Sequence, residues 1–326
     1  MNGLEQLRTE LKPLLDSVND TIRQSLVSKN KLLSDIISFF LNRKGKQIRP
    51  VFTFLIAKLL GEPNNNTIKG AAATELLHNA SLIHDDVVDN SEMRRNADTL
   101  NKIWDNQISV LVGDYIITAA LDQALETNNL MIVKAISTLG RQLAVGELDQ
   151  IYNAQNNSLN EDAYIKMIEL KTASLFVTCA RMAALSVQVS DDDLQKVCDY
   201  ARLLGICFQI KDDIFDYYVD GESVIGKPVE ADLLEKKISL PLLHVLIEDQ
   251  NKGNNTFIDI CFKDDLSTED IKILVEHAVK NGGIEYAQSY MEKLYQTGQK
   301  ILSDFSNKEA IRQLDLLFRY VIDRDR

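Results

Sequence analysis

Two short acidic stretches constrain this chain more than anything else in it. Asp85-Asp86-Val87-Val88-Asp89 and Asp212-Asp213-Ile214-Phe215-Asp216 both read D-D-x-x-D, and both lie in apolar, helix-like sequence. On a helix, positions i and i+4 stand one above the other on one face, and i+1 flanks them. Each stretch therefore crowds two or three carboxylates into one small volume, where they repel unless a cation lies between them. An all-oxygen donor set suits Mg²⁺, which is commonly held by one or two carboxylates together with substrate phosphates.

The remaining composition fits a helical host. The 326 residues exceed the usual single-domain size but show no composition break, so one domain over 1–326 is expected. Apolar residues make up 45%, enough for a large core, and the net charge of −12 argues against a nucleic-acid surface. The opening MNGLEQLRTE lacks the basic start and apolar run of a signal peptide. No stretch of about 18 apolar residues marks a membrane span, and a cytoplasmic location is expected. Cys179, Cys198, Cys207 and Cys261 show no C-x-x-C spacing and read as buried free thiols in a reducing compartment.

Apolar periodicity is helical almost throughout, with no convincing alternating strand pattern. Helices are expected over 3–28, 31–42, 48–60, 67–90, 99–124, 128–153, 161–187, 191–218, 231–250, 267–281, 283–304 and 308–322. Polar, turn-forming runs such as 61–66, 153–160 and 251–255 separate them. Ser190 before Asp191-Asp192-Asp193 reads as a helix N-cap with acidic first-turn residues, so that run needs no functional explanation. Long helices and short linkers point to an all-α fold, a single large bundle of about 10–13 helices.

The flanks sharpen the acidic stretches. Arg94 and Arg95 follow the first one, and guanidinium forks pair bidentately with phosphate oxygens, so carboxylates, Mg²⁺ and two arginines make a diphosphate clamp. Upstream, Gly45-Lys46-Gln47-Ile48-Arg49-Pro50 offers two more cations, although alone it reads as an ordinary solvated basic turn. His84, His244 and His277 read as structural, and the single tryptophan, Trp104, as packing.

At this point the chain resembles the trans-polyprenyl diphosphate synthases of the all-α isoprenoid synthase family. The matching segments include Gly45-Lys46-x-x-Arg49-Pro50, His78 through Asp86, Arg94-Arg95, Gly113-Asp114 and Gly146-Glu147-x-x-Gln150. Further on come Lys171-Thr172-Ala173-x-Leu175-Phe176, Phe208-Gln209-Ile210-x-Asp212-Asp213, Gly226-Lys227-Pro228 and Lys237-x-Ser239-Leu240-Pro241, with a weaker echo at Tyr320–Arg324. Any one of these is modest; so many in order, over most of the chain, are highly specific.

The resemblance implies helices around a central cavity and a Mg²⁺-dependent condensation of isopentenyl diphosphate onto an allylic diphosphate. It implies about two or three Mg²⁺ ions acting as Lewis acids on the leaving diphosphate. They would be held mainly by Asp85, Asp89 and Asp212, with Asp86, Asp213 and Asp216 in support. Arg94, Lys171, Lys227 and Lys237 would bind the allylic diphosphate, and Lys46, Arg49, His78 and Arg95 the isopentenyl diphosphate. Thr172 and Gln209 would offer neutral dipoles where the carbocation forms. A homodimer is the family's usual state, with peripheral membrane contact at product release left open.

Residues one and two turns before Asp85 would line the space for the growing tail. They are Ser81 and Ala80, with Leu77 and Ala73 below them, small or aliphatic where short-product relatives often carry an aromatic floor. One helical turn rises about 5.4 Å, comparable to an isoprene unit, so a long product of about C30–C40 is expected. Three positions depart from the family pattern: Asn96, Glu230 and Lys236 each stand where glycine is usual. Alternatives are a shorter-chain (farnesyl or geranylgeranyl) synthase or a subunit of a heteromeric synthase. A terpene cyclase fits worse because of the second D-D-x-x-D, and EF-hand calcium binding fails on ligand spacing.

Overall fold

The computed structural model describes residues 3–41, 45–94, 97–217 and 232–324. The all-α expectation holds: sixteen α-helical segments occur among the described residues, with one two-residue antiparallel pair. In chain order the helices are α1 (Gly3–Glu10), α2 (Lys12–Ser25), α3 (Lys31–Leu41), α4 (Ile48–Leu60), α5 (Asn65–Val88), α6 (Leu100–Trp104), α7 (Asn106–Leu125) and α8 (Leu130–Gln155). Then follow α9 (Glu161–Ile168), α10 (Ser174–Val187), α11 (Asp191–Phe215), α12 (Leu240–Asn251), α13 (Thr256–Cys261), α14 (Thr268–Lys280), α15 (Gly283–Leu302) and α16 (Lys308–Asp323).

There are more helices than expected because several periodic stretches are interrupted without losing their apolar face. Pro13 lies in the first turn of α2, the one helical place that tolerates its missing N–H, and 3–28 divides there. Asp105 adopts φ 80° and caps α7 by accepting from the Ile108 N–H, which divides 99–124. A π-helical turn, Glu169–Ala173, joins α9 to α10. The expected helix over 231–250 is interrupted: 232–234 are helical, 235–239 are not, and α12 begins where Ser239 is extended and Pro241 occupies the first turn. Helix α13 was not expected, nor was the pairing of β1 (Met93–Arg94) with β2 (Ala97–Asp98).

The chain divides into two compact units, each assembled from interleaved segments. The first comprises Met1–Arg141, Leu175–Ala201 and Ser303–Leu317. Its central helix is α5, which packs on α2, α4 and, most extensively, α7. Asn64 and Thr67 form a reciprocal capping box that starts α5, and the buried run Gly70-Ala71-Ala72-Ala73 lets its neighbours approach closely. Phe52, Phe176 and Tyr200 form an aromatic core nearby, and the Tyr200 hydroxyl donates to the Leu314 carbonyl at 3.1 Å. Trp104 meets Phe39 edge-on, a packing role.

The second unit comprises Gln142–Ser174, Arg202–Leu302 and Phe318–Arg326. Here α12 packs on α14 and α15, burying Leu242, Leu246, Leu274 and Ala287. Each of these leucine side chains removed from water contributes roughly 1.5–3 kcal/mol. Tyr295 meets Phe318 edge-on, with the Arg319 guanidinium 3.7 Å from its ring centroid.

All four cysteines are buried and free, as expected. The membrane expectation needs correction: Asn106–Leu125 and Glu161–Val187 are each long and apolar enough, by length and composition, to cross a bilayer. In the second, 67% of the apolar window is buried in the fold, which is how a core helix passes the same test.

Candidate active site

The first aspartate stretch closes α5. Helical structure stops at Val88, Asp89 caps it through an N–H bond to the Asp85 carbonyl at 2.8 Å, and Asn90 turns the chain away at φ 49°. Asparagine tolerates that left-handed backbone better than most residues, which makes it a natural stop. Asp85 and Asp89 are half-buried while Asp86 points inward and is buried. There Arg94, on β1, donates Nε–H to Asp86 Oδ1 at 2.6 Å. Behind the stretch, a Cβ on Gly113 would come within 2.2 Å of His84 Nε2, so only glycine admits that ring against α7. His84 Nε2 lies 3.2 Å from the Val110 carbonyl, which agrees with a structural role.

The second stretch closes α11, which ends at Phe215. Asp213 is buried, and both its oxygens are taken by scaffold donors. The Tyr164 hydroxyl donates to Oδ2 at 2.5 Å and the Gln209 amide to Oδ1 at 2.8 Å. Thr172 in turn donates to Gln209 Oε1 at 2.6 Å, so a directed chain runs Thr172 to Gln209 to Asp213. Lys171, the residue before Thr172, donates to Gln150 Oε1 and pairs with Glu147 Oε2, each at 2.6 Å. The π turn is what turns Lys171 and Thr172 to these partners. It fits because Gly146 has no side chain: a Cβ there would lie 2.8 Å from the Lys171 backbone nitrogen.

Burial, then the charges of Asp232 and Asp212, push the Asp213 carboxyl up to about 7 against the lowering effect of its two donors. Burial and the charges of Asp213, Asp232 and Asp212 push Asp216 up to about 8. Burial first, then the adjacent Asp213, holds the Tyr164 phenol well above its ordinary range, so it remains a donor.

Both stretches thus sit in the last turn of a helix or just past it. Unsatisfied carbonyls give that end partial negative charge, the least favourable place for a carboxylate. Repulsion among the acids of α11 adds to this. The donor set fits a hard cation, and Mg²⁺ needs only one or two carboxylates from a helix when phosphate oxygens complete its shell. No group of three or more His, Cys, Asp or Glu side chains converges as a complete ion site among the described residues.

Other expected residues fall as follows. Lys46 is exposed before α4, Arg49 lies in its first turn with its guanidinium 5.6 Å from the Phe176 centroid, and His78 is buried on α5, which packs on α4. Lys237 pairs with Glu235 at 2.6 Å. Ala80 and Leu77 are buried, and half-buried Ser81 bonds back to the His78 carbonyl. Arg95, Asn96, Lys227 and Glu230 lie outside the described residues. Lys236 takes φ 57°, a left-handed conformation that explains why glycine is usual there and costs a lysine about 1 kcal/mol. Sequence reasoning missed Tyr164 and Asp232, and it gave Glu147 and Gln150 no role. For the last two, their spacing of three within one motif was the available signal.

The sequence matches the polyprenyl synthetase family over residues 30–278. It is 36% identical over 244 residues to an octaprenyl diphosphate synthase of Escherichia coli strain K12, covering 75% of each chain. Two solved structures superpose over nearly the whole chain. A geranylgeranyl pyrophosphate synthase from Bacteroides thetaiotaomicron gives a TM-score of 0.84 at 34% identity, over 99% of this chain and 100% of that one. A polyprenyl synthase from Caulobacter crescentus, solved with calcium and isoprenyl diphosphate, gives 0.89 at 27% identity, over 99% and 98%.

Proposed function

The chain belongs to the polyprenyl synthetase family and is a prenyltransferase, and from that premise we propose a Mg²⁺-dependent synthase of long all-trans polyprenyl diphosphates. It extends an allylic diphosphate with isopentenyl diphosphate units, head to tail, to about C30–C40. The observation that supports the metal dependence is the placement of both aspartate stretches at helix C-terminal ends, where clustered carboxylates are disfavoured and a cation compensates.

Asp85, Asp89 and Asp212 are the principal Mg²⁺ ligands in this reading, supported by Asp86, Asp213 and Asp216. When bound, Mg²⁺ supplies Lewis-acid neutralisation of the leaving diphosphate. Arg94, Lys171, Lys227 and Lys237 hold that diphosphate through charge-assisted bonds, and Lys46, Arg49, His78 and Arg95 hold isopentenyl diphosphate. The allylic C–O bond breaks with its electron pair leaving on the diphosphate. The isopentenyl double bond then attacks the cation, and a proton lost to the departed diphosphate restores a double bond. Thr172 and Gln209, already aligned by their 2.6 Å bond, present neutral oxygens that stabilise the cation without trapping it.

Ala73, Leu77, Ala80 and Ser81, none of them aromatic, support the long product. Incubation with farnesyl diphosphate, labelled isopentenyl diphosphate and Mg²⁺ should yield C30–C40 chains, within about two units; accumulation of C15–C20 alone overturns the length assignment. Ser81→Phe should shorten the product while sparing turnover, and it is the cleaner probe because Phe at fully buried Ala80 adds an overpacking cost of about 1–3 kcal/mol. The acting form we propose is a cytoplasmic homodimer. Leu111 and Leu125 on α7 and Leu130 and Met131 on α8, all exposed and apolar, support a self-association face. Sedimentation of Leu111→Lys should show a lighter species.

A further inference from the structure

Arg324, immediately after α16, has no part in the reading above, yet its side chain reaches the second aspartate stretch. Nη2 donates to Asp212 Oδ1 at 2.5 Å and to the Phe208 carbonyl at 3.2 Å. The guanidinium carbon lies 4.2 Å from the Phe208 ring centroid and 5.3 Å from that of Phe215. Its backbone N–H bonds to the Tyr320 carbonyl, which keeps it on the last turn of α16, and only 5% of the side chain is exposed. A charge buried this far is tolerated when it is paired, and a guanidinium held by two acceptors and two aromatic faces has little freedom to move. The carboxylate it grips is fixed with it.

We propose that Arg324 is a positioning residue that orients the Asp212 carboxylate for Mg²⁺. The proposal rests on the reading of Asp212 as a metal ligand. Partners that orient a ligand typically change metal affinity 10–100-fold when removed. The positive charge acts in the opposite sense, weakening attraction for a cation. Orientation prevails here because Asp212 is one of four acids: its charge and that of Asp232 act on Asp213 and Asp216, so a single guanidinium does not cancel the pull of the group on a cation.

Three forms of the full chain decide the matter: wild type, Arg324→Met, which keeps the stem between the rings but cannot donate, and Arg324→Lys. Mg²⁺ is titrated while following turnover with farnesyl and isopentenyl diphosphates. Separately, the Mg²⁺-induced rise in melting midpoint is followed without substrate. The half-saturating Mg²⁺ concentration should rise about 10–100-fold in Arg324→Met and less in Arg324→Lys. The Mg²⁺-induced rise in midpoint should shrink in the same order, and KM for isopentenyl diphosphate should stay put. Unchanged or tighter Mg²⁺ dependence in a folded Arg324→Met overturns the proposal, since a packing role moves only the metal-free midpoint. If that variant does not fold, Arg324→Lys decides by the same criterion. A wild type with no Mg²⁺ response in either measurement removes Asp212 as a ligand, and this inference with it; a responsive wild type with indifferent variants removes Arg324 alone.

Discussion

The two D-D-x-x-D stretches are alike in sequence and differ in how the fold supports them. In both, the second aspartate is the buried one: Asp86 on α5 and Asp213 on α11. Asp86 is held by a cation, Arg94, eight residues further along the same chain segment. Asp213 is held by two neutral donors, Tyr164 and Gln209, while Arg324 goes to its neighbour Asp212. Of the six carboxylates, four are therefore half-buried and two, Asp86 and Asp213, are buried with their donors at the helix ends. At Asp213 the neutral donors only partly offset burial, and the carboxyl remains raised.

The largest effects should separate the half-buried from the buried positions. Asp85→Asn and Asp212→Asn should each lower kcat by about 10²–10³-fold, the range for removing one group that stabilises developing charge. Asp213→Asn keeps shape and can still bond Tyr164 and Gln209, so its loss should be at least tenfold smaller. Single-turnover incorporation of labelled isopentenyl diphosphate measures all three. Equal losses at Asp212 and Asp213 would erase the distinction drawn above.

A middle-sized effect probes the neutral support. Tyr164→Phe leaves one oxygen of a buried carboxyl without its donor, which costs about 1–3 kcal/mol of stability, read from urea unfolding of the metal-free protein. Arg94→Met in the first unit should cost less, because the Arg94 side chain is 36% exposed and water can replace it at Asp86.

These supports mark the limit of what the sequence shows. The helices α4, α5 and α8 are legible because long apolar periodicity survives local detail, and the acids and lysines are legible because motif spacing carries chemistry. Tyr164 and Arg324 are not, since they meet Asp213 and Asp212 from 49 and 112 residues away in the chain. The π turn is equally hidden: it depends on contact between Gly146 and Lys171, while the local pattern reads as one unbroken helix over 161–187. Helix α13 spans six residues, too short for periodicity to register. The left-handed Lys236 is a conformational cost visible only as a missing glycine.

The smallest effect is a proton count. Asp213 and Asp216 are raised from 3.8 to about 7 and about 8, so between those limits the folded metal-free chain holds protons that the unfolded chain releases. Stability then falls with pH, because its slope follows protons bound unfolded minus protons bound folded, a negative quantity here. The contribution is complete below the unfolded value near 3.8 and is lost as pH rises through 7 to 8. A cation at α11 works in reverse by favouring the ionised acids, so Mg²⁺ should expel protons on binding and bind more tightly at pH 8.5 than at pH 6, by about tenfold per proton per pH unit at most. Calorimetry in two buffers of different ionisation enthalpy counts those protons. Repeating it with Asp216→Asn should reduce the count, whereas Asp89→Asn in the other unit should leave the second stretch's share intact. If Asp216→Asn leaves the count unchanged, the protons released on binding do not come from Asp216, and its raised carboxyl has no part in the Mg²⁺ response.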